Sequence, residues 1–64
     1  MKFHIPEMNC GHCKATVTTA LTTLDPAAQV EVDLTTRTIA VSSTRDAAAI
    51  IAALDGVGFD ASPA

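Results

Sequence analysis

Cys10 and Cys13 are the only two thiols of the chain, three positions apart in the run Met8-Asn9-Cys10-Gly11-His12-Cys13. At a helix start, with Cys13 in the first turn and Cys10 just before it, such a pair converges on one point and makes a chelate. Backbone N–H groups at a helix start lack internal acceptors, and their positive field favours thiolates, as does a cation at Lys14. Two thiolates with no carboxylate inside the motif form a soft donor set, suited to Cu(I) and, in competition, to Zn(II) rather than to hard cations. A closed structural zinc site takes four protein ligands. Without a second cysteine pair, this chain reaches that number only through His4, His12 or another chain.

Each neighbour of the pair has a plain reading beside a functional one. His12 is either an exposed helix-start residue that tunes thiolate charge, or a third ligand reached across a dimer, because a two-thiolate Cu(I) centre has open coordination. Lys14 is either a solvated helix residue or a charge that offsets a dithiolate copper site. His4 falls on the wet side of an alternating segment and reads as surface. Met8 reads as a gap-filling core residue. Redox catalysis by the cysteines would need a longer fold and a proline-bearing partner loop, which this chain lacks.

The elements that hold the motif must come from 64 residues. A domain of about 60 residues buries only roughly 60% of its unfolded surface. One domain over 1–64 is all that fits, and it has no room for a walled enzyme cleft. A net charge of −3 with only four Lys and Arg leaves no basic stripe for nucleic acid or an anionic membrane. No apolar run approaches the ~20 residues of a membrane span, and the amino terminus lacks the long apolar stretch of a signal peptide. A lone close cysteine pair suits a reducing compartment, so the expected location is the cytoplasm.

Lys2 to Pro6 alternates with the period of a half-buried strand and ends at Pro6. The motif follows as a loop leading into a helix, whose stripe is Val17, Ala20, Leu21 and Leu24, with threonines filling most other positions. Branching at Cβ makes this a weak helix in isolation, so packing of the stripe must stabilise it. Asp25 and Pro26 stop it. Gln29 to Leu34 and Thr38 to Ser42 alternate on either side of Thr35-Thr36-Arg37 and predict an antiparallel hairpin. Ser43 or Thr44 is expected to cap a second helix, with Asp46 in its first turn and Ala47, Ile50, Ile51 and Leu54 on its inner face. Gly56 is expected to end that helix in a left-handed conformation. Phe59 and Ala61 lie on one side of a final extended piece. Single-faced helices and strands in the order βαββαβ predict an α+β, ferredoxin-like two-layer sandwich, an antiparallel sheet covered on one face by two helices.

With those elements in place, the run from Met8 to Cys13 resembles the Met-x-Cys-x-x-Cys signature of the heavy-metal-associated domain family, which includes small copper chaperones and amino-terminal domains of copper-transporting P-type ATPases. The resemblance covers nearly the whole chain, from the signature through the Val30 to Val41 hairpin to Gly58-Phe59. Its Cys-Gly-His-Cys form looks most like bacterial copper chaperones. It departs from the pattern at Glu7, where a glycine commonly precedes the methionine. The resemblance implies that Cys10 and Cys13 bind Cu(I), that Met8 points into the core, and that Phe59 lies in a loop facing the metal, where an aromatic ring excludes water. It further implies a carrier that passes Cu(I) by ligand exchange to the metal-binding domain of a copper-transporting ATPase or another copper protein. Such a carrier is monomeric without metal and capable of a copper-bridged dimer. A Met1 start and the short Ser62-Pro63-Ala64 end favour a free-standing carrier over an ATPase domain, while a zinc or mercury binder would share the same dithiolate.

Overall fold

The computed structural model describes residues 1–64. Its elements run β1 Lys2–His4, α1 Gly11–Leu24, β2 Gln29–Asp33, β3 Thr38–Ser42, α2 Ala47–Asp55 and β4 Ser62–Pro63. The four strands form one sheet in the order β2-β3-β1-β4, and every neighbouring pair is antiparallel. In this register Phe3 faces Ile39, while Val30 faces Val41 and Val32 faces Ile39, so the apolar members of all three strands share one side. Period-2 alternation fixes that choice, since a slip of one residue would turn the set to solvent. Lys2, Glu31 and Asp33 occupy the opposite, open side and are exposed.

Phe3, Ile5, Ile39 and Val41 meet Val17 and Leu21 of α1 and Ile50 and Leu54 of α2 in one core, completed by Met8 from the loop after β1. No polar or charged residue is buried with them. The threonine-rich α1 is held by its Val17 and Leu21 stripe, as expected. Thr16 and Thr22 also donate hydroxyl bonds back to the carbonyls of His12 and Thr18, at 3.1 and 2.8 Å, which keeps those side chains satisfied along the helix. Asp25 then leaves the helix in an extended conformation, the one the following Pro26 imposes.

Four local expectations are corrected. The ladder of β1 stops at His4 rather than Pro6, because the chain turns at once: Met8 N–H donates to the Ile5 carbonyl at 3.0 Å, and Pro6 has no N–H to offer. The cap of α2 is Asp46, whose carboxylate accepts the Ala49 N–H at 2.9 Å. Ser43 is unavailable for that task, since its hydroxyl donates to the Asp25 carboxylate at 2.6 Å and accepts the Arg45 N–H at 3.0 Å. Gly56 is right-handed, at φ −61, and the left-handed glycine is Gly58, at φ 90. The chain makes a further turn before closing, with Gly58 N–H on the Asp55 carbonyl at 3.0 Å and Phe59 N–H on the Leu54 carbonyl at 2.9 Å. That pair of bonds, with a left-handed residue between, is a Schellman closure, in which the residue after the glycine packs back on the helix. Phe59 is accordingly half-buried against the core rather than part of a strand, and β4 shrinks to Ser62 and Pro63 at the sheet edge.

Candidate metal site

Cys10 is itself the N-cap of α1. Its backbone is extended (φ −149, ψ 166), and its sulfur accepts the Cys13 N–H at 3.4 Å. Cys13 sits one turn in, half-buried where α1 meets the core, so the helix start fixes one sulfur while the other rides on non-helical backbone beside it. The two sulfurs are 3.1 Å apart and share a hydrogen bond, and both cysteines are free thiols. Cys13 Sγ also reaches toward the Glu7 carbonyl, at 3.9 Å, which ties the pair to the loop before it.

The hydrogen bond from Cys13 is the largest influence on Cys10, holding its thiol below the ordinary value. The Cys13 N–H and, least of all, the His12 N–H act in the same direction, and desolvation, weaker than either contribution of Cys13, opposes them. Unpaired amides of a helix start lower a thiol in this way because they stabilise the thiolate. Lys14 is exposed and is not among the groups that shift Cys10. It lines a shallow groove together with Glu31 and Asp33 of β2.

The structure brings Cys10 and Cys13 together and leaves the remaining candidates apart from them as donors. No cluster of three or more His, Cys, Asp or Glu side chains forms anywhere in the chain, so neither His12, exposed in the first turn of α1, nor His4, half-buried on β1, joins the sulfurs in such a group. Met8 is 0% exposed, which removes its thioether from reach of an ion on the surface. Phe59 packs on the core cluster from the turn that closes α2. Sequence reasoning missed Arg37. Its side chain donates to the Pro6 carbonyl at 3.1 Å and its own carbonyl accepts the Ile5 N–H at 2.8 Å, so the hairpin turn grips the segment that enters the motif. The signal for it was a four-residue connection between paired Asp33 and Thr38 that holds no glycine.

No helix is long and apolar enough to cross a membrane. No curated protein matches the chain. Solved structures do: a gold-binding protein superposes with a TM-score of 0.93 at 43% identity, over 95% of this chain and 94% of that one. The copper chaperone Atx1 from Synechocystis PCC6803, in a trimeric form, superposes at 0.95 with 26% identity, over 97% and 98% of the two chains. The CopZ metallochaperone shares the fold at 0.86, with 24% identity over 97% of each chain. The family model of the heavy-metal-associated domain matches residues 2–60, which takes in the cysteine pair and every element but the edge strand β4, and the chain therefore belongs to the heavy-metal-associated domain family.

Proposed function

We propose that the protein is a cytoplasmic Cu(I) carrier of one domain, 1–64, that holds the ion on Cys10 and Cys13 and transfers it to the metal-binding domain of a copper-transporting ATPase or to another copper protein. The observation that carries this reading is the pair itself: two thiols 3.1 Å apart at a helix start, with no third ligand gathered around them. Two soft sulfurs suit a monovalent soft ion of low coordination number, while a closed zinc site takes four ligands. With metal–thiolate bonds of about 2.3 Å, two sulfurs on one ion lie roughly 3.8 to 4.6 Å apart, so the pair opens by roughly 0.7 to 1.5 Å from its 3.1 Å separation as the ion binds and both thiol protons leave to solvent. The exposed side chain of Cys10 makes that movement by rotation about its Cα–Cβ bond, while its carbonyl stays bonded to the Lys14 N–H.

Open coordination also supplies the transfer step. An incoming thiolate of the acceptor bonds to Cu(I) before a bond to Cys10 or Cys13 breaks, and the released thiolate takes up a proton. No free ion appears and no covalent chemistry is done, which is the behaviour of a carrier and not of an enzyme. On this reading Lys14, next after Cys13 in the chain, offsets the charge of the dithiolate complex, and Phe59 shields it from water.

Anaerobic titration of the reduced protein with Cu(I) and Zn(II) against competing chelators tests the reading. One Cu(I) per chain at high affinity, a much weaker hold on Zn(II), loss of Cu(I) in the double cysteine variant and retention in Met8→Leu are expected. Preference for Zn(II) would overturn it. The gold-binding relative at 43% identity favours a second reading, Au(I) as cargo of the same two sulfurs. Including Au(I) in the competition separates the two, since a gold carrier would hold Au(I) where Cu(I) is stripped away.

A further inference from the structure

We infer that Arg37 is a positioning residue for metal retention, an inference that rests on the Cu(I) reading above: from the β2–β3 turn it clamps the β-turn that delivers the chain to Cys10. Three observations converge on it. Arg37 is the one non-glycine residue with positive φ, at 57. A left-handed conformation costs a side-chain-bearing residue free energy that glycine or asparagine would largely avoid, and backbone strain of this kind persists where surrounding contacts impose it. The contacts here are two, both to the same short segment. The Arg37 carbonyl accepts the Ile5 N–H at 2.8 Å, and the Arg37 guanidinium donates to the Pro6 carbonyl at 3.1 Å.

That segment is the turn Ile5-Pro6-Glu7-Met8, closed by the Met8 N–H on the Ile5 carbonyl at 3.0 Å. It places Ile5 and Met8 fully in the core and aims the Glu7 carbonyl at Cys13 Sγ. At the left-handed position 37 carbonyl and side chain both reach the segment that follows β1. The guanidinium then supplies a partner to a carbonyl that lies within the turn and outside the β ladder. A fixed turn keeps Cys10 beside Cys13, so less ordering is left for the metal to impose. Groups bonded directly to a metal ligand cost about 10–100-fold in affinity when lost, and Arg37 acts one link further out, through the turn that carries the Glu7 carbonyl. With an exposed guanidinium the lower end, about tenfold, is expected.

Two readouts on full-length protein test this. The first is amide hydrogen exchange of the apo protein. In Arg37→Ala and Arg37→Gly the Met8 N–H should exchange several-fold faster, while the Val41 N–H, bonded to Met1 across the sheet, keeps its rate. The second is anaerobic chelator competition, in which both variants should lose Cu(I) about tenfold more readily than wild type. Arg37→Gly separates positioning from stability, because it removes the guanidinium and relieves the backbone cost together: its melting temperature should equal or exceed that of wild type while Cu(I) retention falls. Arg37→Lys, with a donor on a long stem, should recover part of both signals. Unchanged Met8 exchange would overturn the clamp, and faster exchange with undiminished Cu(I) retention would overturn its bearing on metal. A wild-type protein that held no Cu(I) would instead refute the function proposed above, and the metal role of Arg37 with it, whereas a wild type that holds Cu(I) beside an unaltered Arg37→Ala refutes the clamp alone.

Discussion

Cys10 caps the helix on which Cys13 rides, its sulfur accepting the Cys13 N–H at 3.4 Å while lying 3.1 Å from the Cys13 sulfur. The same atom therefore serves the fold and the proposed metal site, and the two tasks separate by substitution.

Cys10→Ser keeps an acceptor of the residue type preferred at helix caps, so it should be at least as stable as wild type, whereas Cys10→Ala, which loses the acceptor for the Cys13 N–H, should be less stable than Cys10→Ser. Both should release Cu(I) to a chelator that wild type resists. Denaturant unfolding of the apo proteins, followed by anaerobic competition, checks the pair of outcomes. Cu(I) held by Cys10→Ser at wild-type strength would remove Cys10 from the ligand set.

How much of this was legible in the sequence depends on the range of the interaction. Alternation in Gln29 to Leu34 and Thr38 to Ser42, and the stripes through Val17 and Leu54, are local periodicities that fix which face is buried, and the two layers followed from them. The cysteine pair was legible for the same reason, since its spacing alone sets its geometry at a helix start. The cap of α2 was not, because Ser43 is claimed by Asp25, 18 positions away, and no local pattern records that bond. Gly56 and Gly58 are equivalent by composition; only the aromatic residue after Gly58, able to pack back on Leu54, distinguishes the one that closes the helix. The short β4 follows from Pro63, which removes a ladder donor. Arg37 takes a left-handed conformation in a turn that holds neither glycine nor asparagine to mark the position, and its grip on Pro6 is a contact across 31 positions.

Metal retention should depend on pH through the thiols. Protons compete with Cu(I) for thiolates, so apparent affinity falls as pH drops through their pKa values. Because Cys10 is lowered, it stays deprotonated to lower pH than an ordinary thiol, and the loss begins correspondingly lower. Its largest cause is the bond from Cys13, so in Cys13→Ala the remaining thiol should titrate at higher pH, as read by thiolate absorbance. Lys14→Glu should move the onset of Cu(I) loss in wild-type background to higher pH as well, since a negative charge disfavours thiolate. Coincident profiles for Lys14→Glu and wild type would take Lys14 out of the site.

At the far end of α1, Asp25 joins two connections by accepting the Ser43 hydroxyl at 2.6 Å and the Ala27 N–H at 3.0 Å. The Ser43 bond, then the Ala27 bond, hold its carboxyl below the usual carboxylate range. A carboxylate lowered on folding stabilises the protein fully above its unfolded pKa, about 3.9, and ceases to do so as pH falls through the lower folded value. Asp25→Asn should thus be less stable than wild type near neutral pH, and the gap should close on acidification below about pH 4. Urea unfolding at a series of pH values reads the gap directly. A difference that stays constant with pH would mean that the charge of Asp25 contributes nothing.

The proposed Cu(I) site on Cys10 and Cys13 also bears on assembly. A two-thiolate Cu(I) centre accepts a further donor, so excess Cu(I) or high protein concentration should produce dimers bridged through these sulfurs, while the metal-free chain stays monomeric. The exposed large apolar residues are Met1 and Val57 alone, too little surface to hold two chains together without the metal. Any dimer should therefore dissolve when a chelator strips the ion, because its stability derives from ligand binding. His12, exposed one residue before Cys13, is the histidine of the motif and the candidate third donor at such a contact. Sedimentation of metal-free, Cu(I)-loaded and chelator-treated samples checks the bridging, and His12→Ala decides the role of the histidine: it lowers Cu(I)-dependent dimerisation if the imidazole is a ligand and leaves it unchanged if His12 only tunes thiolate charge. A dimer populated equally with and without Cu(I) would show that surface contact, and not the metal, joins the chains.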